Sequence, residues 1–160
     1  MRVLDIVAGT TVDGPGLRTS IYFAGCTHHC PECHNPESWD MAGGNDMSID
    51  DILSRVIEED FDVTFTGGDP LAQIDSLVEL AARIKEAGKS IWCYTGYLYE
   101  EVASDSSLSR ILPYIDVLVD GRFHIAERDV KLLFKGSRNQ RLIDVRKSTP
   151  EAPVIWQSPE

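Results

Sequence analysis

No stretch of this sequence approaches the roughly 20 consecutive apolar residues that a helix needs to cross a bilayer. Its start, MRVLDIVAGT, has no basic region leading into an apolar run, so a cytoplasmic protein with no membrane partner is expected. Basic residues are scarce as well: 15 Lys and Arg stand against 26 Asp and Glu, for a formal net charge of -11. Such a chain repels a phosphate backbone, which excludes nucleic acid as a general partner. The acidity is read as solubility, with steering towards a basic partner surface as the alternative. Internal repeats and low-complexity linkers are absent, and 160 residues with 42% hydrophobic content suit a single domain over residues 1–160. Cysteine occurs only four times, yet three copies fall between Cys26 and Cys33. In a chain without an export signal, such crowding points to metal binding or redox chemistry instead of disulfides.

What is present is an alternation of strand-like and helix-like segments. After an apolar start at Val3 to Val7, Leu17 to Ala24 reads as a buried strand ending at Gly25 and the cysteine loop. Ser48 with Asp51 resembles a capping box, and Ile49, Ile52, Leu53, Val56 and Ile57 mark a helical face that ends near Asp60. Asp62 to Thr66 reads as a strand, and Ile74, Leu77, Val78, Ala81 and Ile84 form a second helical stripe that stops at Gly88. Ser90 to Thr95 and Asp116 to Asp120 are further strands, with a weaker helical region from Tyr97 to Leu112 broken before Pro113. Beyond Asp120 the pattern is irregular, with apolar runs at Leu132 to Phe134 and Leu142 to Val145. Pro150, Pro153 and Pro159 mark a last dozen residues expected to be loosely ordered.

This alternation predicts an α/β fold with a mainly parallel sheet and right-handed crossovers. The cysteine loop, TGGDP at Thr66 to Pro70, YTGY at Tyr94 to Tyr97 and DGRF at Asp120 to Phe123 each follow a strand. All four then line the carboxyl edge of the sheet, where parallel α/β folds bind ligands.

The loop itself reads GCTHHCPECHNP, with Cys26, Cys30 and Cys33 spaced Cys-x3-Cys-x2-Cys. Three close thiolates can wrap one cubane cluster, but ordinary ligation uses four cysteines, so one iron is left open to a ligand. The alternative is a zinc site with His28, His29 or His34 as fourth ligand, although His34 directly after Cys33 strains a tetrahedral closure. A non-catalytic zinc or iron-sulfur module keeps such a loop but has no need of TGGDP one strand later. Two glycines there permit close backbone approach; on its own, the motif is also an ordinary tight turn.

Taken together, these motifs resemble the radical S-adenosylmethionine superfamily, in which the open iron binds the methionine part of S-adenosyl-L-methionine. TVDGPGLR at Thr11 to Arg18, the cysteine loop and HNPESW narrow the resemblance to activases of glycyl-radical enzymes. GGDPL at Gly67 to Leu71, W-x-Y-T-G-Y at Trp92 to Tyr97, VLVDG-x-F at Val117 to Phe123 and F-x-G-S-x-N-Q-R at Phe134 to Arg141 are similar to the short family that activates anaerobic ribonucleotide reductase. The pyruvate formate-lyase activases, which share the DGPG and CHN elements, are the alternative.

The resemblance implies a partial open (βα) barrel of the radical S-adenosylmethionine type. It implies a 4Fe-4S cluster on Cys26, Cys30 and Cys33, and S-adenosyl-L-methionine held by Glu32, Cys33, His34, Gly67, Gly68, Asp69, Tyr94 and Thr95. Gly67, Gly68 and Asp69 take the methionine part, Asp69 by charge complementarity. The residue before the third cysteine is often aromatic in the superfamily and is Glu32 here, so adenine contacts pass to backbone near Glu32 to His34 or elsewhere. No further catalytic side chain is implied. The implied activity is reductive cleavage of S-adenosyl-L-methionine to a 5′-deoxyadenosyl radical that takes hydrogen from a reductase glycine, with an external electron donor such as a flavodoxin-like protein.

Other residues are weighed singly. Cys93 alternates with Trp92 and Tyr94 along a strand and is expected to be a buried, inert thiol. Asp13 to Gly16 form a turn that is structural or shapes the site entrance. His28 and His29 are expected in an exposed loop. Arg122, Arg138 and Arg141 are surface cations by default, and the resemblance implies a partner-docking or site role for the Gly136 to Arg141 loop as the alternative.

Overall fold

The computed structural model describes residues 1–26, 28 and 39–158. Seven strands form one open sheet in the order β3-β1-β2-β4-β5-β6-β7. They are β1 (Arg2–Thr10), β2 (Arg18–Phe23), β3 (Asn45–Asp46), β4 (Asp62–Gly67), β5 (Ile91–Tyr94), β6 (Val117–Asp120) and β7 (Arg141–Asp144). Three helices, α1 (Ile49–Glu59), α2 (Ile74–Glu86) and α3 (Tyr99–Ser104), join the parallel strands β2, β4, β5 and β6.

Because the strand order advances in one direction through β2, β4, β5 and β6, right-handed crossovers put every connecting helix on the same face. Ile21, Phe23, Val63, Phe65, Ile91, Cys93 and Leu118 pack there against Ile52 and Val56 of α1, Leu77, Leu80 and Ile84 of α2, and Tyr99 and Val102 of α3. Successive strand residues point to opposite faces, so Arg18, Ser20, Tyr22, Thr64, Trp92, Tyr94, Val117 and Val119 fall on the other one. Among the described residues that face has no helix; it is covered in part by Phe134, Leu142 and Trp156, which pack on Trp92, Val117 and Val119.

Local signals explain the two long helices. The Ser48 side chain accepts a hydrogen bond from Asp51 N (3.0 Å) at the start of α1, and Asp60 ends it in a left-handed conformation. α2 begins after a turn Pro70–Gln73 and carries its basic residues Arg83 and Lys85 in the last turn, where they complement the helix dipole.

The sheet is mostly parallel, as expected, through β2, β4, β5 and β6, while β1, β3 and β7 pair antiparallel at its edges. No crossover helix separates β6 from β7, so the irregular segment 121–140 returns the chain to the end it left and the next strand runs the opposite way. The Tyr97 to Leu112 region is two pieces, α3 and a tighter turn Leu108–Tyr114 that contains Pro113. Two residues near the end make contacts with the sheet: Asp144 N donates to Val154 O (2.8 Å), Trp156 N donates to Leu142 O (2.7 Å), and the Trp156 and Trp92 rings lie 4.9 Å apart. Among the described residues, no helix is long and apolar enough to cross a membrane.

Candidate functional site

Strand ends build the site. β2 and β4 run in register to their last pair, Phe23 with Gly67. Beyond it, Gly68 N donates to Phe23 O (2.9 Å) and Asp69 N to Gly25 O (2.7 Å). Gln73 holds Ala24 O through Nε2 (3.1 Å), and Cys26 N donates to Trp39 O (3.3 Å). The backbone leading into the cysteine loop is therefore fastened to the TGGDP segment, and Cys26 is buried at 9% exposure.

Asp69 is 2% exposed. Its carboxylate accepts from Leu71 N (3.0 Å), from Thr95 Oγ1 (2.9 Å to Oδ2), from Gly96 N (3.0 Å) and from His28 Nε2 (2.7 Å). Arg122 Nε donates to His28 Nδ1 (3.2 Å). An arginine only donates, so Nδ1 accepts and the ring proton faces Asp69 from Nε2. The imidazole also meets the Tyr97 ring edge-on at 4.6 Å, and a Cβ at Gly96 would lie 2.5 Å from its Cδ2.

The expectation of an exposed His28 is thus corrected: its side chain is 3% exposed. It joins TGGDP, YTGY and DGRF at one point, and with both ring nitrogens engaged it has none left for a zinc ion. Nothing in the composition marked it; the small Gly96 that makes room lies 68 positions along the chain, as counted from the sequence.

Cys26, Gly67, Gly68, Asp69, Tyr94 and Thr95 line one cavity of about 410 Å³, together with His28, Asp13 and Arg122. This size is in the range of pockets that take a cofactor. Tyr94 donates from its hydroxyl to Phe134 O (2.6 Å), which fixes one wall. The expected site residues Cys30, Glu32, Cys33 and His34, and also His29, lie outside the described residues. Cys93 points into the helical core at 0% exposure, and burial pushes its thiol pKa well up, as an inert packing residue requires.

The DGPG turn is held over the open face. Asp13 accepts from Ser20 Oγ (2.9 Å) and Tyr22 OH (3.2 Å), and its carbonyl accepts from Thr64 Oγ1 (2.8 Å). Arg18, 1% exposed, donates to Val63 O (2.7 Å) and Thr64 Oγ1 (2.9 Å) beneath it, with its guanidinium 5.8 Å from the Trp92 ring centre. Val12 and Asp13 line the cavity, so the turn is structural and also shapes the entrance.

Burial and the neighbouring Asp13 push the Tyr22 pKa from 10.0 up to about 12. Below pH 10 the hydroxyl is protonated in both folded and unfolded chains. Between 10 and 12 only the unfolded chain ionises, so stability falls as pH rises through that window. The urea midpoint is expected to drop above pH 10, and Tyr22→Phe to make the drop shallower; equal slopes in the two proteins would contradict this.

Residues 12–143 match the 4Fe-4S single cluster domain family. The chain is 34% identical over 152 residues to the anaerobic ribonucleoside-triphosphate reductase-activating protein of Haemophilus influenzae, covering 88% of this chain and 96% of that one. It is 36% identical over 141 residues to the protein of that name from Pasteurella multocida (81% and 88% covered). For the one from Enterobacteria phage T4, the identity is 34% over 141 residues (82% and 86%).

Proposed function

The chain belongs to the 4Fe-4S single cluster domain family and to the anaerobic ribonucleoside-triphosphate reductase-activating proteins, and from that premise we propose that it is a glycyl-radical-generating activase. It holds one 4Fe-4S cluster on Cys26, Cys30 and Cys33, binds S-adenosyl-L-methionine, and acts on a glycine of anaerobic ribonucleotide reductase. The observation that carries this reading is the meeting of Cys26 with Gly67, Gly68 and Asp69 at one cavity. A thiol beside glycine backbone at a strand edge suits a cluster with an adjoining amino-acid ligand.

With a cluster held by Cys26, Cys30 and Cys33 and S-adenosyl-L-methionine beside it, the bound pair would supply one-electron reductive radical chemistry directed at the glycine hydrogen. The chain's own residues bind and orient. Gly67 and Gly68 present backbone to the methionine part, with the buried Asp69 charge beside them. Thr95 and Tyr94 form the facing wall, and backbone near Glu32, Cys33 and His34 takes the adenine. No side chain serves as a general base. An external donor, such as a flavodoxin-like protein, supplies the electron.

The one-directional run of β2, β4, β5 and β6 with helices on a single face supports a partial open barrel of the radical S-adenosylmethionine type. A sheet left open gives a mouth wide enough for a polypeptide loop.

Anaerobic reconstitution with iron and sulfide, followed by reduction and S-adenosyl-L-methionine, tests the proposal. About four irons per chain and formation of 5′-deoxyadenosine are expected; one tightly held zinc and no 5′-deoxyadenosine would return the chain to a metal-binding module. Gly96→Ala pushes His28 off Asp69 and leaves the carboxylate short of a strong donor, a loss of about 1.5–3 kcal/mol. The dissociation constant for S-adenosyl-L-methionine is expected to rise about tenfold or more with iron content unchanged; an unchanged constant would show that His28 does not order this pocket.

A further inference from the structure

The F-x-G-S-x-N-Q-R segment and the loop before it give Leu132, Phe134, Lys135, Gly136 and Gln140 to the cavity wall, but their exposed side chains Arg128, Val130, Lys131, Leu133 and Arg138 lie outside its lining. Between Arg122 and Arg141 stand six Lys or Arg and two acidic residues, in a chain of net charge -11. Three of these cations are used inside the fold: Arg122 on His28, Lys135 on Gln140 O and Arg141 on Asp120 and Glu100. Arg128, Lys131 and Arg138 are exposed and form no ion pair among the described residues.

The loop is ordered by its own hydrogen bonds. Arg128 bridges Ser137, Arg138 N donates to Glu127 O (2.9 Å), and Lys131 N and Leu132 N both bond Asp129. Phe134 turns inward through a left-handed backbone (φ 64°) to meet Trp92 at 5.3 Å. The same geometry leaves Val130 and Leu133 83% and 59% exposed, while Leu132 and Phe134 line the cavity wall. Across the mouth, Val12 is 68% exposed. A hydrogen-bonded loop that holds apolar side chains in water beside cations without an ion pair, at the rim of a site, has the composition of an interface.

We propose that residues 128–138 are the docking surface for an acidic segment of the reductase that carries apolar side chains and lies next to its target glycine. Val130 and Leu133 seat in that segment, and Arg128, Lys131 and Arg138 meet its carboxylates. Those contacts make association fall with added salt. The proposal rests on the function proposed above, and two separate readouts keep them apart.

Binding of the reconstituted protein to anaerobic reductase is measured by interferometry without S-adenosyl-L-methionine, alongside 5′-deoxyadenosine formation without reductase. For Val130→Asp/Leu133→Asp and for Lys131→Glu, the dissociation constant is expected to rise about tenfold or more. Reductant-driven 5′-deoxyadenosine formation should stay within about twofold of wild type, since neither variant touches the pocket. Ile57→Asp, at an exposed position on α1, is expected to change neither. Unchanged affinity in both variants overturns the proposal, as does equal weakening by Ile57→Asp or a wild type that does not bind. Loss of binding in the variants while even wild type makes no 5′-deoxyadenosine supports the docking surface and sinks the activity.

Discussion

Cys26→Ala is expected to fold, to retain little iron after reconstitution and to form no 5′-deoxyadenosine above background. Cys26 stands three residues past the end of β2, with its amide held by Trp39 and its side chain at the cavity. The strand before it is fixed by the β4 ladder and by Gln73, so loss of the thiolate leaves the fold standing while removing one of three proposed ligands. Ordinary cubane ligation uses four cysteines, so a site that starts with three has no thiolate in reserve. Cys93→Ala is the control. Cys93 lies in the helical core, so its loss opens a small cavity, costs about 1 kcal/mol and leaves iron binding intact. Iron and sulfide assays on the two variants decide the matter: equal iron retention would remove Cys26 from the ligand set.

Gly67→Ala is expected to be the most destabilising small substitution at the site. Gly67 sits at φ 108°, a conformation that L side chains rarely adopt, and a Cβ there would overlap the backbone nitrogen and oxygen of Phe23. Phe23 cannot withdraw, because it pairs with Gly67 in the ladder and is fully buried against Phe65. Backbone strain of about 1–3 kcal/mol adds to the cost of parting the two strands. A total near 3 kcal/mol lowers Tm by roughly 6–12 °C for a chain of this size. Melting is followed by circular dichroism on cluster-free protein, so that cofactor loss does not enter. A shift under about 2 °C would mean that the strand ends are not packed as described.

The two long helices were legible because their apolar faces repeat at helical spacing and their ends carry Ser48 and Gly88. The parallel core followed from strand-helix alternation, and with it the gathering of Cys26, TGGDP and Thr95 at one edge. The edges of the sheet were not legible. Whether Leu142 pairs parallel or antiparallel depends on the path of residues 121–140, which have no periodic pattern. His28 and Arg18 were hidden for another reason. A histidine between two cysteines and an arginine after a turn both look solvated in sequence, and only tertiary contacts bury them, through Asp69 in one case and Thr64 with Trp92 in the other. Trp156, among prolines that carry no strand or helix signal, packs its ring on Trp92, a contact that no periodic pattern in the sequence announces.

The proposed formation of a radical on a glycine of anaerobic ribonucleotide reductase is tested by electron paramagnetic resonance of the reductase after incubation with the reconstituted, reduced protein and S-adenosyl-L-methionine. A glycyl-radical doublet on the reductase, with 5′-deoxyadenosine formed in step and neither seen with Cys26→Ala, is the result expected. No doublet despite a full, reduced cluster and bound reductase would contradict the account.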